Sequence, residues 1–394
     1  MSLLGALVPA RAAGALVAAE RLSAQEAPTP VGEPAWRLGA LEAPPEEQFY
    51  RVRNPLLLPD GRLVVPDAGS SRIRVFDDRR ELLWTAGREG DGPGEFRSVD
   101  RVHRYRGDSL AVFDGRLQRL TIIDADGDVG RTIGLGRASG AASIDAGPSG
   151  AEGPPVRLFA VGAFPDGSFL VRRGELSVGP GDTTAVRRDR FTYGRMDPEG
   201  RPLGDVVSLP DDEQFVWAEG GSRSARPRAF GRTTAVAVGG ENTFVADNTA
   251  FRVVVLDARG DTVRVLSTPR DPRPVREADR ERWRAAELEA LGEGLMRRIA
   301  EQAVEAMAFP ETMPHHGALV LGTDGRVWLE EYRPPHTNSP STWTVFAPDG
   351  GVVGRREFPT GFRLTWVGPD GALGVLQDEL GVERVVLYRL PAAG

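Results

Sequence analysis

One strand-and-turn unit recurs six times along the chain, and no other feature restricts the fold as much. A short apolar strand runs into a Gly turn. A second strand follows and ends in an acid in most copies. A third strand leads to another Asp/Gly turn. The copies are Leu56–Asp67 with Arg72–Asp77, Gly107–Asp114 with Arg119–Gly127, Phe164–Val171 with Phe191–Gly200, Gly240–Asp247 with Arg252–Gly260, Thr323–Glu330 with Trp343–Gly350, and Pro369–Asp378 with Arg384–Tyr388. The turn glycines are Gly61, Gly107, Gly167, Gly240, Gly325 and Gly371; the first and last intervals are 46 residues each, and the middle ones are longer.

An interval of that size fits one four-stranded blade of about 40–50 residues. The expected fold is therefore all-β, a six-bladed β-propeller with insertions in its middle blades. It forms a single domain over residues 31–394 rather than the two or three domains that 394 residues would suggest. The sixth unit runs out after its third strand. The segment Ala35–Gly39 is expected to supply the missing strand and so close the last blade. Val275 to Ala308 departs from the pattern: Trp283, Leu288, Leu291, Leu295, Ile299, Ala303 and Met307 follow helical spacing. It reads as a helical insertion at about 275–308, between blades four and five.

The run Gly87-Arg-Glu-Gly90-Asp-Gly92-Pro-Gly94-Glu-Phe96 resembles the signature of NHL-repeat propellers. It is no dinucleotide loop, because it does not sit at a strand-to-helix turn. Phe309–Pro314, followed by Leu319 to Trp328, is similar to the same group. Residues 35–390 thus resemble the bacterial six-bladed β-propeller family related to NHL repeats. The resemblance implies a fold and a binding surface, not one reaction.

Composition narrows the function classes. There is no Cys, which excludes disulfides, thiol nucleophiles and Cys-ligated metals. A net charge of −7 argues against nucleic acid as a partner. The chain contains no Lys, so all 49 basic residues are Arg. Residues 1–30 read as a signal peptide or leader, apolar from Leu3 to Ala19 with small residues near Ala24. Export to the periplasm or beyond is expected, or a cytoplasmic location if the leader is not a signal. No membrane span is expected.

Two residue sets stand at repeat-equivalent positions. Arg53, Arg232 and Arg363 each lie eight residues before their turn Gly, and Arg101, Arg157 and His316 fall near the same place in the other blades. They form a candidate rim for a small anionic ligand. Asp67, Asp114, Asp247, Asn248, Glu330 and Asp378 end second strands and are candidate oxygen ligands for Ca²⁺ or another divalent cation, although no cofactor is required. Asp67, Asp114, Asp247 and Glu379 each precede an Arg by five residues, which suggests pairing across a hairpin turn. His315 and His316 form a pair without an HExxH context, and no G-x-S-x-G elbow appears. The preferred reading is a non-catalytic, monomeric propeller that binds an anionic ligand or a protein partner. The alternatives are a metal-dependent hydrolase or lactonase, similar in fold to gluconolactonase/regucalcin-like proteins, and a scaffolding module docking through the 275–308 helix.

Overall fold

The computed structural model describes residues 27–135, 157–174, 183–219, 222–291 and 295–390. Most of the leader, which was read as a signal, lies outside them. The described residues form seven sheets and two α-helices. Six sheets are four-stranded antiparallel meanders or contain one. Their first strands are Leu56–Leu57, Arg101–Arg104, Leu158–Ala163, Thr234–Gly239, His316–Leu321 and Phe362–Gly368. In the last sheet the fourth place is taken by Pro34–Leu38, which pairs antiparallel with Glu383–Tyr388. That is the closing strand the sequence suggested.

Each meander is built by the same local physics. In the first, Asp60 accepts the Arg62 N–H at 3.1 Å, and Gly61 takes the positive φ of 87° that the turn demands. Asp166 and Asp324 repeat the bond to the residue two places on. The β-branched and aromatic strands are then apolar on both faces, because each sheet is covered on both sides.

The core consists of the layers between consecutive sheets. Val64, Ile73 and Val75 of the first sheet pack on Val102, Leu110 and Val112 of the second. Similar layers join the second sheet to the third, the third to the fourth, the fourth to the fifth and the fifth to the sixth. A further layer joins the sixth to the first, where Leu373, Val375, Val385 and Leu387 meet Leu57, Leu63, Val65 and Phe76. This is the β-propeller arrangement.

The Gly-rich run is a pinned loop. Glu95 accepts the Gly92 N–H at 2.8 Å and pairs with Arg88, while Arg119 donates to the carbonyls of Asp91, Gly92 and Glu95 at 2.7–2.9 Å. Gly87 has φ 93°, and a Cβ there would lie 2.7 Å from the Ser71 carbonyl oxygen. The carbonyls of Asp91, Gly92 and Glu95 are thus already taken by the protein.

Two features were not apparent from the repeats. Thr29–Pro30 adds a parallel fifth strand to the fifth sheet, beside Val352–Phe358. A three-stranded side sheet forms from Ala185–Arg187, Gln214–Glu219 and Ser222–Pro227. The helical insertion is split into α1 (Glu277–Glu289) and α2 (Leu295–Glu305). Trp283, Ala303, Val304 and Met307 of this insertion are buried against Phe215, Trp217 and Phe230, beside the side sheet. Its apolar stripe is therefore already covered, which removes the surface a docking helix would need. No helix among the described residues is long and apolar enough to cross a membrane.

Candidate functional site

The first strands of the six meanders enter side by side, and side-chain clips fix their spacing. Asn54 donates to the Val102 carbonyl at 2.7 Å and accepts the Val102 N–H at 3.3 Å. That clip sets Arg53, in the segment leading into the first sheet's first strand, beside Arg101 at the start of the second sheet's. On the other side of Arg53, Arg363 donates to the carbonyls of Arg53 and Val52 at 2.6 and 2.7 Å. Arg363, Arg53 and Arg101 therefore follow one another across the sixth, first and second sheets.

The three cations are treated differently. Arg363 is anchored to main-chain oxygens. Arg53 and Arg101 make no side-chain hydrogen bond or ion pair with the described residues, and the Arg53 Nε is sealed from solvent without a partner. Arg101 is exposed at the surface. Confinement by protein, and after it the charge of Arg172, holds its pKa below the usual Arg range. Burial does the same for Arg363, opposed by the Glu383 charge and aided by that of Arg53. Glu383 acts on Arg363 and Asp100 on Arg101, yet neither carboxylate bonds its guanidinium, and a cluster of this kind favours an anion.

Arg172 extends the group into the third sheet. It stands in register between Phe159 and Tyr193 on the adjoining strands. Its guanidinium lies 4.5 Å from the Phe159 ring centre and 4.9 Å from that of Phe191, and it pairs with Asp211 at 2.9 Å. Phe159, Arg172, Asp189, Phe191, Asp211 and Asp212 line a cavity of about 190 Å³. Asp212 accepts one long bond, from the Thr234 N–H at 3.3 Å, and has no ion-pair partner among the described residues. Burial, and then the neighbouring Asp211 charge, push its pKa up. Tyr193 is 3% exposed, and burial pushes its phenol to about 12. The charges of Arg172, Asp211, Asp212 and Arg101 all act on that hydroxyl, which makes no hydrogen bond with the described residues.

The other rim candidates are committed elsewhere. Arg232 donates to the Thr312 hydroxyl at 2.7 Å and lies beside Glu213. His316 is fully buried, with Nδ1 3.0 Å from the Gly317 oxygen and its ring edge-on to Phe251. It cannot line an open mouth. Arg157 precedes the third sheet's first strand, and its carbonyl accepts the Gly174 N–H.

The acids do not converge as a metal ring. Asp67 is buried and pairs with Arg74 at 2.5 Å; Asp114 caps its turn. Asp247 accepts from Arg188 and Thr249, and Asn248 is clipped to Thr233. Glu330 accepts the Ala318 N–H at 3.2 Å, with Arg333 beyond it. Asp378 caps Leu380 and Val382 and pairs with Arg384. Among the described residues no three His, Asp or Glu side chains come together in a way that would hold a metal ion. The set does not fit a divalent cation, because these carboxylates already carry donors from the protein. The five-residue Asp–Arg pairing is also corrected. Asp67 bonds Arg74 rather than Arg72, Arg119 serves the Gly-rich loop rather than Asp114, and Arg384 takes Asp378 rather than Glu379.

His103, two residues beyond Arg101, is half-buried, and its Nε2 is sealed without a partner. Burial, reinforced by Arg101, lowers its pKa to about 3. A folded pKa below the unfolded value of about 6.5 means that the unfolded chain binds the extra proton between those limits. This contribution is fully present above pH 6.5 and falls by up to about 1.4 kcal/mol per pH unit below it. Wild type should lose more stability than His103→Gln between pH 6.5 and 4.5 in urea titrations. Parallel losses would show that His103 does not carry the effect.

No family model matches the chain, and no curated protein matches it by sequence. The NHL resemblance therefore rests on its motif residues alone. Solved structures of similar shape include a DUF4221 family member from Bacteroides vulgatus, with 11% identity, 92% of this chain and 95% of that one covered, and a TM-score of 0.47. A virginiamycin B lyase from Staphylococcus aureus has 8% identity, coverage of 90% and 99%, and a TM-score of 0.44. A gluconolactonase from Xanthomonas campestris has 11% identity, coverage of 86% and 87%, and a TM-score of 0.40. Likenesses of this size carry no argument about chemistry.

Proposed function

We propose that the chain is a single-domain, six-bladed propeller over residues 31–394 that binds a small anionic ligand without transforming it. The apolar layers that join each sheet to the next, and the sixth to the first, support six blades around one axis. The side sheet and the helices are insertions upon that disc. The observation that carries the binding reading is the pair Arg53 and Arg101. They are neighbours across the Asn54 clip, and both lack carboxylate partners among the described residues. Two neighbouring cations that no carboxylate bonds favour an anion there.

The test is calorimetric titration of a panel of small carboxylates and phosphate esters against wild type and the double variant Arg53→Ala, Arg101→Ala. Binding should weaken at least about tenfold, with little change in melting temperature, since neither side chain bonds the fold. Equal affinity in the double variant would remove the reading. Export belongs to the same proposal: the mature chain acts outside the cytoplasm as a monomer after loss of its leader. Cell fractionation with N-terminal sequencing should find a start near Gln25, and a full-length cytoplasmic protein would contradict it.

A further inference from the structure

We infer that the gap between the fifth and sixth sheets, beside the N-terminal segment, is a binding site for an apolar monocarboxylate, held by Arg37 and Tyr388. It does not depend on the anion-binding reading above. The chain crosses here from one sheet to the next. Thr29–Pro30 pairs with Val352–Phe358 of the fifth sheet, the Val31 N–H donates to the Glu357 carbonyl at 2.9 Å, and Pro34–Leu38 joins the sixth. Beside this crossing lies a cavity of about 690 Å³, with apolar walls from Pro30, Val31, Phe358, Pro359 and Leu376. Tyr388 also lines it. That residue is 3% exposed, and its hydroxyl makes no hydrogen bond with the described residues. Its ring stands edge-on to Phe362 and Phe358, with centres 5.0 and 5.9 Å away.

Strand alternation decides which charges face the cavity. Val386 and Tyr388 pack toward the fifth sheet, and Val385 and Leu387 toward the first. Arg37 stands in register with Val386, so it shares the Tyr388 side, and it lines the cavity. Phe358 points into the layer with the sixth sheet, which turns the Glu357 side chain to the opposite face with Arg355, the partner of Glu331. Glu33 is the remaining carboxylate of the wall. Its contact with Arg37 is 3.5 Å long and its side chain is 94% exposed, so solvent screens the pair. A ligand carboxylate would replace that loose contact with a two-pronged bond to Arg37 and accept a third from the Tyr388 O–H. Burial raises the phenol's pKa, which keeps that proton in place. An amine would meet Arg37 with the same sign of charge, and an alcohol would leave the guanidinium unmatched. A second carboxylate would have to lie against proline, leucine and phenylalanine. One negative charge on an apolar body is the class that fits.

Titration calorimetry with octanoate, 1-octanol, octylamine and octanedioate tests this. Octanoate should bind at least about tenfold more tightly than the other three, and Arg37→Gln and Tyr388→Phe should each erase most of that advantage. Circular dichroism should be unchanged, since Arg37 is exposed and phenylalanine keeps the Tyr388 ring. Glu33→Gln should strengthen octanoate binding by about two- to threefold, because it removes the competing carboxylate. The double variant Arg53→Ala, Arg101→Ala should bind octanoate as wild type does. The inference is overturned if octanoate does not bind, if 1-octanol equals it, or if Arg37→Gln and Tyr388→Phe leave its affinity unchanged. Loss of octanoate in the Arg53, Arg101 double variant would also overturn it, and would assign the carboxylate to the first-strand arginines. Loss there of the small anions alone, with octanoate retained, supports two separate sites.

Discussion

Asp114→Ala should destabilise the protein by about 4 kcal/mol, since each buried donor left unsatisfied costs about 1–3 kcal/mol. Asp114 is fully buried at the end of its strand. Its carboxylate accepts the N–H groups of Arg97, Ser98, Arg116 and Leu117 at 2.7–3.2 Å, and the Ser98 hydroxyl at 3.0 Å. One side chain thus closes two loops, the end of the Gly-rich run and its own turn. Ala would leave those donors facing a void. Asp114→Asn should recover only part of the loss, because an amide has one acceptor oxygen where the carboxylate has two. Urea unfolding monitored by Trp fluorescence measures the cost. A loss under about 1 kcal/mol would show that water replaces the carboxylate at little cost, and that the cap is not structural.

Arg74→Ala should cost about 3–5 kcal/mol, because it abandons a charge inside the fold. Asp67 and Arg74 are 1% and 4% exposed and are 2.5 Å apart. Asp67 also holds Ser70 and the Tyr50 N–H. Removing the cation leaves a buried carboxylate with only neutral donors. The double variant Asp67→Leu, Arg74→Met should be far milder than Arg74→Ala, since apolar replacement of both partners removes the desolvation cost too. Additive losses in the double-variant cycle would mean that the pair does not act as a unit. Neither this pair nor Asp114 should affect anion binding, which separates acids that hold turns from cations that face a ligand.

The repeats made the scaffold readable. The Asp/Gly turns at Gly61, Gly167 and Gly325, and the closing strand before Gly39, follow from short-range chemistry that recurs at fixed offsets. The site was only half readable. Arg53 and Arg101 emerged because they occupy repeat positions. Arg172, Tyr193, Asp211 and Asp212 did not, because they belong to one sheet and its insertion and have no counterparts in the other copies. A trace of them existed: Arg172 breaks an apolar strand, and Asp211-Asp212 is an acidic pair at the start of inserted sequence. The acids misled for a related reason. A repeated Asp can serve a turn in every copy without the copies meeting one another. The five-residue spacing placed Asp67 and Asp114 opposite Arg72 and Arg119 in register, but the register of main chains did not decide which side chains bond.

The layer between the sixth and first sheets has a consequence in time as well as in space. Val52 donates to Glu383 across 331 residues, and Arg363 reaches the Arg53 carbonyl across 310. A ribosome releasing this chain from its N-terminus makes the other five layers available in order, each from neighbouring sequence. The seam has to wait for the last residues, and its closure entropy falls on the slowest contacts of all. Arg363, Arg53 and Arg101 straddle that seam. The recognition surface therefore comes into being at the moment of closure, and an anionic ligand would report whether a newly made molecule has finished folding.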